Sequence, residues 1–315
     1  MKICVVGAGV IGLTTALELQ STYRGADIHI LSNKFENQTT SYVAAGLFRP
    51  GTSFCGPTDE ITRQIINDSY YYWDSIRKTS EAAEAGVTQL SVYIFSSKSA
   101  HITRNSYIEK LVPIYRAATE DELQLCPGNW KYGSFFTTLL TECRLYLPWA
   151  KQKFLSNGGH ITEYTINNFA DLPEKYDIVV NCTGLQAKIL CNDNKLVPIR
   201  GQVIKVKAPW IKTAFYGDYD TYVIPGFETV TLGGVRQYDS YNTEICKYDR
   251  AAIKERCESL VPSLKTAKVV NELVGLRPHR DPVRIEGEVL RRGTESVKIV
   301  HNLWTRWLWG NYSTR

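Results

Sequence analysis

The chain opens on a short, almost wholly apolar run, Lys2-Ile3-Cys4-Val5-Val6. An unbroken run without polar alternation predicts a strand buried on both faces. Gly7-Ala8-Gly9-Val10-Ile11-Gly12 follows at once. From Leu13 to Leu19 the spacing turns helical, with Leu13, Ala16, Leu17 and Gln20 on one side. A second apolar run, Asp27 to Leu31, predicts the next strand. Much later, Pro198 to Ile204 and Thr229 to Gly234 predict strands of a second sheet. Gln202-Val203-Ile204-Lys205-Val206-Lys207 shows the polar and apolar alternation of a strand with one face covered. Between these two strands lies Tyr216-Gly217-Asp218-Tyr219-Asp220-Thr221, whose Gly, Asp and Tyr content suits a mobile lid. Tyr219 is then either a lid aromatic or a loop tyrosine that merely packs.

Strand, glycine turn and helix in direct succession form a nucleotide cradle of the Rossmann type. The three glycines serve different ends. Gly7 permits the tight turn, Gly9 lets the backbone approach a pyrophosphate, and Gly12 allows close packing of helix on strand. Free N–H groups and the positive helix end then face the phosphates. The second strand in such folds ends on an acid that binds ribose hydroxyls, but here the end reads Ser32-Asn33-Lys34. Asn33 and Lys34 either take over the ribose and phosphate contacts or form a plain polar turn.

Composition narrows the class without adding chemistry. A length of 315 residues suffices for one or two intimately packed domains, and 43% apolar with 22% charged residues is ordinary for a soluble protein. The net charge of +5 is scattered, with no basic run that calls for a nucleic acid. No apolar stretch approaches the roughly 18 residues of a membrane span, and the N-terminus has no signal-peptide pattern. The eight cysteines form no CxxC pair and no metal-ligand spacing, so they read as buried free thiols of a reducing compartment.

Several ordered segments resemble the D-amino-acid oxidase family. They are Thr39-Thr40-Ser41 with Val43-Ala44-Ala45-Gly46-Leu47, Tyr132 to Thr137, Val180-Asn181-Cys182-Thr183-Gly184 and Arg200-Gly201-Gln202-Val203. Tyr222 to Gly226, Thr231 to Gln237 and Val274-Gly275-Leu276-Arg277-Pro278 resemble it most specifically, and the resemblance runs from residue 2 to Asn302. It implies an α/β protein: a Rossmann-type FAD-binding domain with an interleaved mixed-sheet substrate-binding domain. The expected FAD lobe covers residues 1–50, 140–190 and 265–315, and the substrate lobe 51–139 and 191–264.

The resemblance assigns cofactor contacts to Gly7, Ala8, Gly9, Val10, Ile11, Gly12, Asn33, Lys34, Thr39, Thr40, Ser41, Gly46, Leu47, Ile166 and Thr183, with FAD as cofactor. Read alone, Thr39 to Ser41 are equally a polar loop and Ile166 a core strand residue. Arg277 would grip the substrate α-carboxylate with its planar fork, and Tyr222 would donate a second contact. Taken without the resemblance, Arg277 is as compatible with a surface ion pair. Thr-Leu-Gly-Gly-x-Arg-Gln around Arg236 resembles the D-aspartate oxidase branch. A second cation suits a second carboxylate, so D-aspartate, then D-glutamate, are the expected substrates with O₂. The alternative is Arg236 turned to solvent. The implied reaction transfers the substrate α-hydrogen as hydride to the flavin. It yields a 2-oxo acid, ammonia and hydrogen peroxide, with no side-chain base.

The resemblance breaks after His301-Asn302. The family continues Tyr-Gly-His-Gly-Gly, whereas this chain reads Leu303-Trp304-Thr305-Arg306-Trp307-Leu308-Trp309, with three of its seven tryptophans in six residues. Codons for this tail can be chosen so that reading one nucleotide later restores the five-residue motif. The expectation is a shifted reading frame, and for the chain as it stands weakened FAD binding and activity. Ser313-Thr314-Arg315 is not a peroxisomal signal, which leaves the cytosol as the expected compartment, or the peroxisome if the native end differs.

Overall fold

The computed structural model describes residues 1–173, 175–292 and 295–303. In chain order its strands are β1 (Lys2–Val6), β2 (Asp27–Ser32), β3 (Val87–Ser96), β4 (Tyr115–Ala117), β5 (Tyr132–Thr141), β6 (His160–Glu163), β7 (Ile178–Asn181), β8 (Val197–Lys207), β9 (Ala214–Tyr216), β10 (Tyr222–Pro225), β11 (Val230–Gly233), β12 (Gln237–Tyr238), β13 (Lys268–His279), β14 (Arg284–Arg292) and β15 (Glu295–Leu303).

They form two sheets. The first runs β14-β15-β7-β1-β2-β6, parallel from β15 to β6 with β14 antiparallel at the edge. β1 lies between β2 and β7, with Val6 level with Leu31 and Asn181. Such a strand is covered on both faces, which is why Ile3, Cys4, Val5 and Val6 are all buried. The second sheet runs β12-β8-β11-β10-β9-β3-β5-β4, mixed because β3 and β9 are parallel, and β13 pairs antiparallel with β8.

Helix Val10–Thr22 packs Gly12, Leu13 and Ala16 inward, and Leu13 alone contributes about 1.5–3 kcal/mol by burial. Helix Asp59–Arg77 buries Thr62, Ile65, Ile66, Tyr70, Trp73 and Ile76, a stripe at helical spacing. Thr58 caps it by accepting the Ile61 N–H, a contact worth about 1 kcal/mol. One large core under both sheets joins Val5 and Ile30 to Val92, Phe136, Val203 and Ile224.

β13 departs from the expected division of the chain. It lies within 265–315, expected in the FAD lobe, yet its hydrogen bonds run to β8 of the second sheet from Lys268 to His279. Strand pairing is long-range, so position along the chain did not reveal its partner. The cysteines also differ in part. All eight are free, but Cys55 is exposed, and Cys191 and Cys246 are half-buried. The altered tail from Trp304 onward lies outside the described residues. Among the described residues no helix is long and apolar enough to cross a membrane.

Candidate active site

The C-terminal ends of β1, β2 and β7 open into one cavity of about 1000 Å³. This is where a parallel sheet places its ligands. Gly7 leaves β1 with φ +106°, a left-handed value natural only for glycine, and its N–H donates to the Leu31 carbonyl at 2.8 Å. A Cβ on Gly7 would stand 2.5 Å from the Cys182 carbonyl oxygen, and one on Gly12 would stand 1.8 Å from the Gly7 carbonyl oxygen. Both glycines are therefore held by backbone packing. Gly9 faces Ser41, whose Oγ accepts the Val10 N–H at 3.0 Å. That bond ties the loop 39–43 to the start of the helix.

Most of the cofactor contacts expected from the sequence meet here. Gly7, Ala8, Gly9, Val10, Ile11, Asn33, Lys34, Thr39, Thr40, Ser41, Ile166 and Thr183 all line the cavity. Ser32 braces the turn of Asn33 and Lys34 by accepting the Ala8 N–H and donating to the Lys34 carbonyl. Thr40 donates to the Leu276 carbonyl, which draws β13 against the loop. Thr183 is fixed by Asn181, whose Oδ1 accepts both its N–H and its hydroxyl.

Three of the expected residues do not line it. Gly12 is packed beneath the turn. Gly46 has φ +85°, and a Cβ there would lie 2.0 Å from the Thr141 carbonyl oxygen. Leu47 is fully buried and bridges to Leu140. The glycine and leucine of this segment fasten it to β5, a packing demand that a motif match cannot separate from ligand contact.

Arg277 closes the far side of the cavity. It sits on β13, and Val274 to Pro278 line the wall with it. Only 7% of it is exposed, which removes the surface-ion-pair alternative. Its Nη1 donates to the Val235 carbonyl at 3.2 Å. The guanidinium fits over Gly201 of β8, where a Cβ would come within 2.1 Å of it. Burial pushes its pKa down to about 10; neighbouring Tyr222 favours the cation and neighbouring Arg236 opposes it. A desolvated guanidinium remains charged at neutral pH and attracts an anion strongly.

Tyr222, at the start of β10, is buried beside it. Its ring lies against Gly233 and Gly234, where any Cβ would come within 2.1 to 2.6 Å. Burial holds its phenol well above the ordinary range, so it stays a hydrogen-bond donor. Arg236 is mostly buried and pairs with Asp220. This removes the alternative of Arg236 turned to solvent. Asp220 comes from the 216–221 segment, which packs next to β11 once β9, β10 and β11 pair. In the same segment, Asp218 accepts from Ser96 Oγ, Ser97 N and Ser97 Oγ. Tyr219 is 73% exposed with the Lys98 amine over its ring, so it does not pack into the core.

Sequence reasoning missed two neighbours. Asp220 stood in a segment read only for its mobility. Arg49 is buried with its guanidinium 4.9 Å from the centre of the Tyr216 ring, and that ring is 5.7 Å from Tyr222. An arginine inside the apolar run Val43 to Phe48-Arg49-Pro50 was the available signal.

Known proteins match nearly the full length of the chain. A family model described as FAD dependent oxidoreductase matches residues 2–305. Human D-aspartate oxidase is 37% identical over 96% of this chain and 88% of that protein. The D-amino acid oxidase of Dugesia ryukyuensis is 32% identical over 96% of this chain and 91% of its own length. The crystal structure of glycine oxidase from Geobacillus kaustophilus shares the fold, with a TM-score of 0.79 at 15% identity, covering 97% of this chain and 89% of that one. This chain belongs to the D-amino-acid oxidase family of FAD dependent oxidoreductases.

Proposed function

We propose that this enzyme oxidatively deaminates D-amino acids that carry a second carboxylate, D-aspartate before D-glutamate. The single observation that carries the reading is the cluster of Arg277, Tyr222 and Arg236, of which Arg277 lines the nucleotide cavity. Two guanidinium groups close enough to raise one another's energy are costly unless anions compensate them.

The residues present fit FAD. The cavity has the size of a large cofactor site, at the top of the roughly 300–1,000 Å³ range. Its glycine floor admits no Cβ, and a thirteen-residue helix presents its N-terminus there. Gly9, Val10 and Ile11 would hold the pyrophosphate, Asn33 and Lys34 the adenosine end, and Ile166 and Thr183 the intervening wall. When bound, FAD supplies the hydride acceptor for the substrate α-hydrogen and returns the electrons to O₂.

The chain's own residues then orient the substrate. Arg277 takes the α-carboxylate on two parallel N–H donors, which fixes its plane. Tyr222 donates its phenolic proton to the same group. Arg236 takes the side-chain carboxylate. Buried walls around Tyr222 and Arg277 exclude water and strengthen both contacts. With the substrate held at two ends, its α-hydrogen has one permitted direction, and orientation is the main protein contribution.

The test is to purify the chain, record its flavin absorbance, and measure peroxide formed from D-aspartate and D-alanine. The reading expects a yellow protein that prefers D-aspartate. A preference for D-alanine would overturn it.

A further inference from the structure

We propose that Asp220 is a built-in carboxylate that holds Arg236 until a substrate's side-chain carboxylate replaces it, and so competes with acidic substrates and tempers their apparent affinity. The inference rests on the acidic-substrate reading above and deepens it. Asp220 is a positioning residue, acting on substrate through Arg236.

The turn that carries Asp220 is unusual. Residues Asp218 to Thr221 connect β9 to β10, with the Thr221 N–H donating to the Asp218 carbonyl. The two central residues, Tyr219 and Asp220, both have φ 59°. Two-residue hairpin turns of this hand favour Asn-Gly, because residues with a Cβ resist the left-handed region. Tertiary contacts must therefore hold Tyr219 and Asp220 there.

Those contacts are unequal. The Asp218 end is anchored by three hydrogen bonds from Ser96 and Ser97, at 2.6 to 3.0 Å. Tyr219 is largely in solvent. The Asp220 end is held by its ion pair with Arg236. Thus one carboxylate fixes the base of the turn, and the other lends it to the site.

The chemistry of exchange follows. Asp220 also acts electrostatically on Arg277 and Tyr222, so it stands in the field where substrate carboxylates must bind. A dicarboxylic substrate brings a group of the same type and charge as the Asp220 side chain. It can replace Asp220 on Arg236 one for one, and Arg236 stays paired throughout. The released Asp220, already 31% exposed in its side chain, moves into water. A monocarboxylic substrate offers no such exchange and leaves the pair closed. Asp220 therefore raises the KM of the acidic substrate, and it keeps a carboxylate on Arg236 while the site is empty.

The experiment compares the holoenzyme with D220N and D220A. Asn tolerates the left-handed region, so D220N removes the charge and keeps the turn; melting curves check that both variants fold. Steady-state KM and kcat are measured for D-aspartate and D-alanine, and inhibition constants for succinate and propanoate. The proposal expects the D-aspartate KM and the succinate inhibition constant to fall about three- to tenfold, since each tenfold step corresponds to 1.4 kcal/mol. D-Alanine and propanoate should shift much less. Equal shifts for all four ligands would mark a merely structural role and overturn the proposal. A rise in the D-aspartate KM would overturn it too, because Asp220 would then be aligning Arg236 for substrate. If the wild type oxidises no D-aspartate, the acidic-substrate reading fails and takes this proposal with it. If the wild type oxidises D-aspartate and the variants match it, this proposal alone fails.

Discussion

The two ends of the cavity are built on different plans. The nucleotide end comes from short, contiguous pieces: β1, its glycine turn, and the helix behind it, all within residues 2–22. The proposed substrate end draws Arg277, which lines the cavity, from β13, and behind it Tyr222 from β10, Arg236 from the residues after β11, and Asp220 from a turn. One end is a local backbone device, in which glycines clear space. The other is a long-range side-chain device, in which sheet pairing brings distant cations together. Damage to the first should appear as lost cofactor and lost stability, and damage to the second as altered substrate choice in a chain that still binds flavin.

The largest effect expected at the substrate end comes from Arg277→Leu. Removing one partner of a buried charge pair costs about 2–5 kcal/mol, roughly 30-fold to several thousand-fold in kcat/KM for D-aspartate. Flavin absorbance should survive, and a colourless variant would break the division between the two ends. At the nucleotide end, Gly12→Ala sets a Cβ 1.8 Å from the Gly7 carbonyl oxygen. Overpacking of this kind costs about 1–3 kcal/mol. Flavin titration should show weaker binding and calorimetry a lower Tm, with the ratio of D-aspartate to D-alanine turnover per flavin unchanged.

Smaller substitutions sharpen the contrast. Ser41→Ala deletes the acceptor of the Val10 N–H. It should weaken flavin binding by about 1 kcal/mol, near fivefold, again without changing substrate choice. Tyr222→Phe removes one neutral donor from a buried site, so KM should rise about two- to tenfold for D-aspartate and D-alanine alike. A larger rise for one substrate would mean that Tyr222 reads the side chain.

This difference in construction also explains what the sequence disclosed. Lys2 to Gly12 announced a strand, a turn and a helix because every part is adjacent, and steric limits on Gly7 and Gly12 are local. Asn33 and Lys34, at the end of β2, were open between ribose contacts and a plain polar turn, and the structure puts both on the cavity wall. The role of Gly46 and Leu47 was not separable in this way, since their demand comes from Thr141 and Leu140 nearly a hundred residues on. The lobe boundary at 265 missed the pairing of β13 with β8 for the same reason. Arg236 was visible as a cation, but its partner Asp220 depended on the pairing of β9, β10 and β11. Periodicity reports which face of a strand is buried and carries no information about which strand lies beside it.

The central claim is that Arg236 reads a second carboxylate. The most direct test measures kcat/KM for wild type and Arg236→Leu on both D-aspartate and D-alanine, by peroxide release from flavin-loaded protein. The account predicts that the D-aspartate to D-alanine ratio falls at least about tenfold, the equivalent of 1.4 kcal/mol, with the loss confined to D-aspartate. An unchanged ratio, or an equal loss on both substrates, would contradict it.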